Sequence, residues 1–478
     1  MTSTRTNPIG SAHRKEWPSH ATVWRWHFYA GVICIPFVLW LAATGSIYVF
    51  KPQIDAWLDK PYESVASEGS VTPPSAQIAG ALAARPGSRL NGYQLPATPH
   101  SAVQILIGQD SDLHRIYVDP VSLRILRDVN EDSRLSNIIF HLHGELLQGD
   151  AGSFIVEAAA SWALVMIITG LYLWWPTDRR LAGVIYPRLH LRGRPFWRDL
   201  HAVTGSWVAL FVLFLLISGL PWARSWGGML EGLRQWTSNN LISQDWTTGR
   251  SSELAKRRAA VSPSQAEPTG HAAHATISAS RNDASPIGVA IASDYAAIDG
   301  FVPLVRGAHL EPPVLISPPS GKSAYWVARS DTQNRPHRLE LTLGENPPRV
   351  LSRTGFDQQP LLDRIIGIGV AAHEGQLFAP LNQALGLFTA LGLWIVCISA
   401  VVMWWRRRTH GVLGAPPLRP RPRLALSVMG IVLVLGVLLP FMGLTLLLVL
   451  LLERFVLRRC GRARQFLGLD PLVSAGGL

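Results

Sequence analysis

The apolar positions along the chain fall into a few long blocks separated by stretches of short alternating runs. Four blocks, residues 24–50, 154–175, 203–222 and 380–405, are almost continuously apolar. Each has about the 20 residues that a helix needs to cross a bilayer. A fifth block, 424–455, is interrupted by "LLPFMG", and a proline at position 440 predicts a helical hairpin turning there. Two long connections remain, 51–153 and 223–379. The first carries a helix-like "PPSAQIAGALAARPG" and then alternating runs such as "AVQILIG", "HRIYVDP" and "LRILRDV". The second carries "PVLISP", "SAYWVAR" and "HRLELTL". Each predicts a small α+β domain. Residues 249–285, rich in Ala and Ser, read as a mobile linker within the second connection.

Composition agrees with a membrane location. Apolar residues make up 48% of the chain and charged residues 16%, well under the roughly 25% of a soluble domain. The net charge of +12 would suit a nucleic-acid partner if the arginines were scattered, but they collect beside the apolar blocks. "WWPTDRRLAGVIYPRLHLRGRPFWRDL", "WWRRRTHGVLGAPPLRPRPRL" and "ERFVLRRCGRAR" follow the positive-inside pattern. They place the tail 1–23, the loops 176–202 and 406–423 and the tail 456–478 in the cytoplasm. Both long connections then lie on the other side. The charge points to membrane lipid as a partner, not to nucleic acid. The first block has no small-residue cleavage site and reads as a retained anchor. Of the three cysteines, Cys34 and Cys397 sit in apolar blocks and Cys460 in the tail, fewer than the four that an iron–sulfur cluster takes.

The chain repeats itself. His27 is followed four, seventeen and eighteen residues later by Gly31, Thr44 and Gly45; His201 is followed at the same offsets by Gly205, Ser218 and Gly219. His143 leads by 26 and 31 residues to Thr169 and Trp174, and His373 by the same intervals to Ser399 and Trp404. The unit is span, domain, span, written twice in one orientation. A parallel repeat predicts a pseudo-two-fold axis along the membrane normal. That axis sets His27 opposite His201 near the cytoplasmic side and His143 opposite His373 near the far side. The fold class expected is an integral membrane α-helical bundle of two span–domain–span repeats plus a C-terminal hairpin, with two small α+β domains outside.

A histidine near a membrane interface is more often a cap or a packing residue than a ligand, but here both recur at fixed spacing. Paired histidines on facing helices are a standard holder for b-type haem, and two pairs predict two haems, one near each side of the membrane. A helix from His143 to Trp174 would measure about 46 Å, more than the roughly 30 Å hydrocarbon core. A break near "GDAG" is therefore expected. The glycines four residues after His27 and His201 leave room for a porphyrin or let helices pack closely. His141 competes with His143 but has no counterpart in the repeat. His271 and His274 have helical metal spacing but fall in the linker. Glu145, Glu157 and Glu374 are candidates for tuning the sites or handling protons. The Trp-Trp pairs read as interfacial anchors. "GIGVAA" at 367–372 matches a dinucleotide-binding pattern but leads into a span, without the acidic residue that the motif requires. No nicotinamide or flavin domain is legible, so electrons would come from an unidentified cytoplasmic or membrane donor.

"HFYAGVICIPFVLWLAATGSIYVF", "HGELL", "TGLYLWWP", "LHAVTGSW", "SGLPW", "AAHEGQLF", "VVMWWRRR" and "LLPFMGLTLLLVLLL" together resemble the PepSY-associated transmembrane helix family. That family includes inner-membrane siderophore reductases of the ferrioxamine B type. The resemblance covers roughly residues 20–456. It implies PepSY-type periplasmic domains, haem ligated by His27, His143, His201 and His373, and reduction of a ferric siderophore at the bacterial inner membrane. "VDPVSLRIL" lacks the glycine usual after this turn, a departure that points to a degenerate first domain. Two other readings stay open: a siderophore permease without redox chemistry, and a binding or sensor protein whose membrane part is a scaffold. The nearly uncharged spans argue against ion-coupled transport.

Overall fold

The computed structural model describes residues 20–65, 67–109, 112–176, 181–237, 294–319, 323–408, 410–416 and 426–469. The linker 249–285, with His271 and His274, and residues 1–19 of the N-terminal tail lie outside the described residues.

In chain order the helices are α1 (His20–Tyr48), α2 (Lys51–Asp59), α3 (Pro74–Ala84), α4 (Leu135–Glu145), α5 (Gly149–Trp174), α6 (Arg194–Gly219), α7 (Arg224–Thr237), α8 (Ala297–Gly307), α9 (Leu361–His373), α10 (Leu381–Arg407), α11 (Leu426–Leu438), α12 (Pro440–Leu452) and α13 (Gly461–Leu467). The strands are β1 (Arg89–Gln94), β2 (Val103–Gln109), β3 (Asp112–Val118), β4 (Ile125–Asn130), β5 (Val314–Ser317), β6 (Trp326–Ser330), β7 (Leu339–Gly344) and β8 (Arg349–Gly355). Among the described residues five helices are long and apolar enough to cross a membrane: α1, α5, α6 extended to Trp222, α10, and α12 extended to Leu457. The third span begins at Arg194, well before the expected 203, so His201 lies inside the helix. The block 424–455 breaks at Leu439, with Pro440 opening the second arm. Proline is tolerated at that first helical position because its missing N–H has no intrahelical partner to lose.

The chain divides into two compact units, Met1–Ala42 with Ile155–Leu216 and Leu391–Leu478, and Ala43–Phe154 with Ile217–Ala390. In the first unit the helices are tied by polar contacts as well as by apolar packing. Trp162 Nε1 on α5 donates to Thr445 Oγ1 on α12 at 2.9 Å. The buried Arg25 guanidinium on α1 donates to the carbonyls of Pro416, at 2.5 Å, and Gly468, at 2.8 Å. The second of these falls at the end of α13, where unpaired carbonyls favour a cation. The Trp-Trp pairs divide their labour. Trp174 and Trp404 donate to the Val184 and Leu413 carbonyls, at 3.1 and 2.9 Å, and so pin the loop that follows each span. Trp175 and Trp405 are 72% and 64% exposed, as interfacial anchors are.

The second unit corrects the expectation of two separate α+β domains. All eight strands form one antiparallel sheet in the order β4-β3-β2-β1-β5-β6-β7-β8. The halves meet where Tyr93 pairs with Ile316 and Gln94 with Leu315, and Leu95 N–H donates to the Val314 carbonyl at 2.8 Å. A separate domain would leave β1 and β5 as open edges, and joining them satisfies both rows of backbone groups. The core is shared as well. Ile78 and Ala81 of α3, Ile105, Ile107 and Ile116 of the first half, Ile298 and Phe301 of α8, and Ile316, Ala328 and Leu343 of the second half are all fully buried in one cluster. In the turn between β3 and β4 a leucine stands where a glycine is usual. Leu123 takes the left-handed conformation that glycine adopts without strain, φ 58°, while its side chain packs against the core.

Candidate cofactor sites

Two histidine pairs form, one in each unit, and both join the two repeats as expected. In the first unit the ring centroids of His27, on α1, and His201, on α6, are 6.4 Å apart with planes at 87°. His27 Nδ1 lies 2.9 Å from Thr169 Oγ1 on α5. That hydroxyl already donates to the Val165 carbonyl at 2.7 Å, so it accepts from the imidazole N–H. His201 Nδ1 lies 2.9 Å from the Val396 carbonyl and 3.3 Å from Ser399 Oγ on α10. A carbonyl only accepts, so Nδ1 carries the proton. In both rings Nε2 is then the nitrogen that keeps its lone pair.

In the second unit His143 and His373 sit at the ends of α4 and α9, short helices that precede the α5 and α10 spans. Leu146 and Leu147, at φ 50° and 57°, break the chain after α4, just ahead of the "GDAG" where a break was expected. The centroids are 6.5 Å apart with planes at 75°. Thr44 Oγ1 meets His143 Nδ1 at 2.9 Å, and Ser218 Oγ meets His373 Nδ1 at 3.0 Å. The Trp222 ring crosses His373 at 5.5 Å.

Glycine stands beside the ring at three of the four histidines. A Cβ at Gly170 would come within 3.2 Å of His27 Cε1, one at Gly45 within 3.2 Å of His143 Cε1, and one at Gly219 within 3.3 Å of His373 Cε1. At the fourth place the repeat has Ala400, and there the ring bonds to the Val396 carbonyl in addition to the hydroxyl. Gly31 and Gly205, four residues after a histidine, face Met166 and Val396 and serve helix packing.

His27 with His201, and His143 with His373, would suit a haem: with Nδ1 of each ring held by an oxygen, Nε2 would be left to bind iron, and centroids 6.4 and 6.5 Å apart would leave room for a metal between two imidazoles. Among the described residues no group of three or more His, Cys, Asp or Glu gathers around a point that would hold a bare metal ion.

The neighbouring candidates have other partners. His141 Nδ1 pairs with the buried Glu145 carboxylate at 3.0 Å. The buried Glu374, next to His373, pairs with Arg335 at 2.7 Å. Glu157 is buried within the α5 span at 3% exposure. "GIGVAA" is helical throughout, inside α9, with none of the strand–turn geometry of a dinucleotide site. The four hydroxyls Thr44, Thr169, Ser218 and Ser399 served in the sequence only to align the repeats. Their signal was their constant offset from the histidine that precedes them in the same segment, seventeen residues for Thr44 and Ser218 and 26 for Thr169 and Ser399.

Five membrane-length apolar helices define a multi-pass membrane protein. The chain belongs to the family of PepSY-associated TM regions, whose family model matches residues 24–407. That range takes in all four histidines and every strand. A comparison with curated proteins found no match.

Proposed function

We propose that this protein is a haem-containing membrane reductase. It passes electrons from a cytoplasmic or membrane donor to an Fe(III) complex on the far side, a ferric siderophore. The supporting observation is that two histidine pairs, with ring centroids 6.4 and 6.5 Å apart, each join the two repeats, with Nδ1 of every ring held by an oxygen. Haem b at each pair would supply one-electron chemistry. His27 with His201, and His143 with His373, would hold the two haems. Thr169, Ser399, Thr44 and Ser218 orient them. The arginine-rich loops set the topology, with the N-terminus in the cytoplasm and the sheet in the periplasm of a bacterial inner membrane. Hard oxygen donors hold Fe(III) better than Fe(II), so one electron added to the iron loosens the siderophore and frees Fe(II).

Alanine substitution tests the pairing. His143→Ala and His373→Ala are each expected to remove the same haem and spare the other, as are His27→Ala and His201→Ala for theirs. If His27→Ala and His143→Ala abolish the same absorption band, the pairing is wrong. For the reaction, dithionite-reduced protein freed of excess reductant is mixed with a ferric siderophore and a ferrous chelator. Reoxidation of the haem band together with one trapped Fe(II) per electron is the expected result. A reduced band that outlasts excess ferric siderophore would refute the reductase reading.

A further inference from the structure

We infer that Thr44, Thr169, Ser218 and Ser399 are positioning residues that set the reduction potentials of the two sites. The inference rests on the haem reading above. In each site both histidines present Nδ1 to an oxygen at 2.9 to 3.3 Å. Each hydroxyl belongs to the same repeat as the histidine it holds. In the first repeat α1 supplies His27 to one pair and Thr44 to the other, while α4 and α5 supply His143 and Thr169. In the second repeat α6 supplies His201 and Ser218, while α9 and α10 supply His373 and Ser399. Every ring is therefore braced within its own repeat before any metal joins the two.

An oxygen accepting from Nδ1–H fixes the tautomer and makes Nε2 more basic. A more basic nitrogen favours Fe(III) over Fe(II), because the oxidised iron carries the higher charge, and so lowers the potential. The four positions are not equivalent. His201 also meets the Val396 carbonyl at 2.9 Å, closer than Ser399 Oγ at 3.3 Å. No side-chain substitution removes that carbonyl. His27 meets the Thr169 hydroxyl.

The test is a spectroscopic redox titration of the purified full-length protein, with haem quantified in each variant. Thr169→Val keeps the shape of the side chain and deletes the hydroxyl. A tenfold loss of preference for the oxidised iron, the lower end of the range for outer-shell ligand partners, reads as about 59 mV upward in one haem. The other haem should be unmoved. Thr169→Ser should restore the wild-type potential, and Ser399→Ala should shift the same haem by less. Loss of that haem in Thr169→Val with retention in Thr169→Ser would support the same role. Wild-type potential and occupancy in Thr169→Val would overturn the inference, as would equal loss in both Thr169 variants. A wild-type protein without haem would instead refute the function on which the inference rests.

Discussion

The ion pair between Arg335 and Glu374 fastens the sheet to the helix that carries His373. Arg335 lies in the turn between β6 and β7, and Glu374 directly follows the histidine. The separation is 2.7 Å, with 9% and 6% of the two side chains exposed. Burial decides the size of the effect. An exposed pair contributes about 0–1 kcal/mol, whereas breaking a buried pair costs about 3–5 kcal/mol. Glu374→Ala and Arg335→Met are each expected to destabilise the sheet unit by about that amount. The double variant should cost clearly less than the two singles together, because both singles break the same contact. Denaturant titration in detergent, followed by tryptophan fluorescence, measures all three. Single costs under about 1 kcal/mol, or strict additivity, would show that water screens the pair and that the tie to His373 is weak.

Other predictions concern the sheet and the helix packing. Gln94→Cys combined with Leu315→Cys should give an intramolecular disulfide on mild oxidation, visible as a gel-mobility shift, since directly paired residues bring Cβ atoms within about 4.5–5.5 Å; two separate domains would leave it unformed. Burial pushes the Asp119 carboxyl up, but the hydroxyls of Ser67 and Ser122 and the N–H groups of Val121 and Ser122 outweigh it and bring the pKa down to about 2. A depressed pKa gives stability that is complete above the unfolded value, near 4, and is lost as pH falls through 2; the amount is about 2 kcal/mol. Asp119→Asn should flatten the stability profile between pH 5 and 2, and an unchanged slope would reject this origin. At Gly392 a Cβ would fall 2.4 Å from Val208 Cγ1. Gly392→Ala should therefore destabilise the α6–α10 packing by about 1–3 kcal/mol, with recovery when Val208→Ala is added; a stable single variant would mean that these helices give way easily.

Much of the architecture is legible in the sequence because the repeat needs no gap. Equal offsets from His27 and His201, and from His143 and His373, are enough to pair the spans and set the histidines opposite one another. The join between β1 and β5 is not legible, because the pairing of Tyr93 with Ile316 links strands more than two hundred residues apart and leaves no local period. The role of the hydroxyls stays hidden for a related reason. Thr169 back-bonds to Val165, as a threonine inside any helix does, and only the fold reveals that His27 takes its other side. The two tryptophans of each pair look alike in sequence, and they separate only when the following loop returns to meet the first of them. The left-handed backbone of Leu123 is not legible either, because a leucine carries no local signal for that conformation.

The most direct test of the whole account is a reduced-minus-oxidised absorption spectrum of the detergent-purified chain from haem-replete cells, with haem quantified against protein. Sharp b-type bands at about two haems per chain are expected from two bis-histidine sites. A colourless protein would contradict the assignment of the four histidines and leave a non-redox carrier or binding protein in its place.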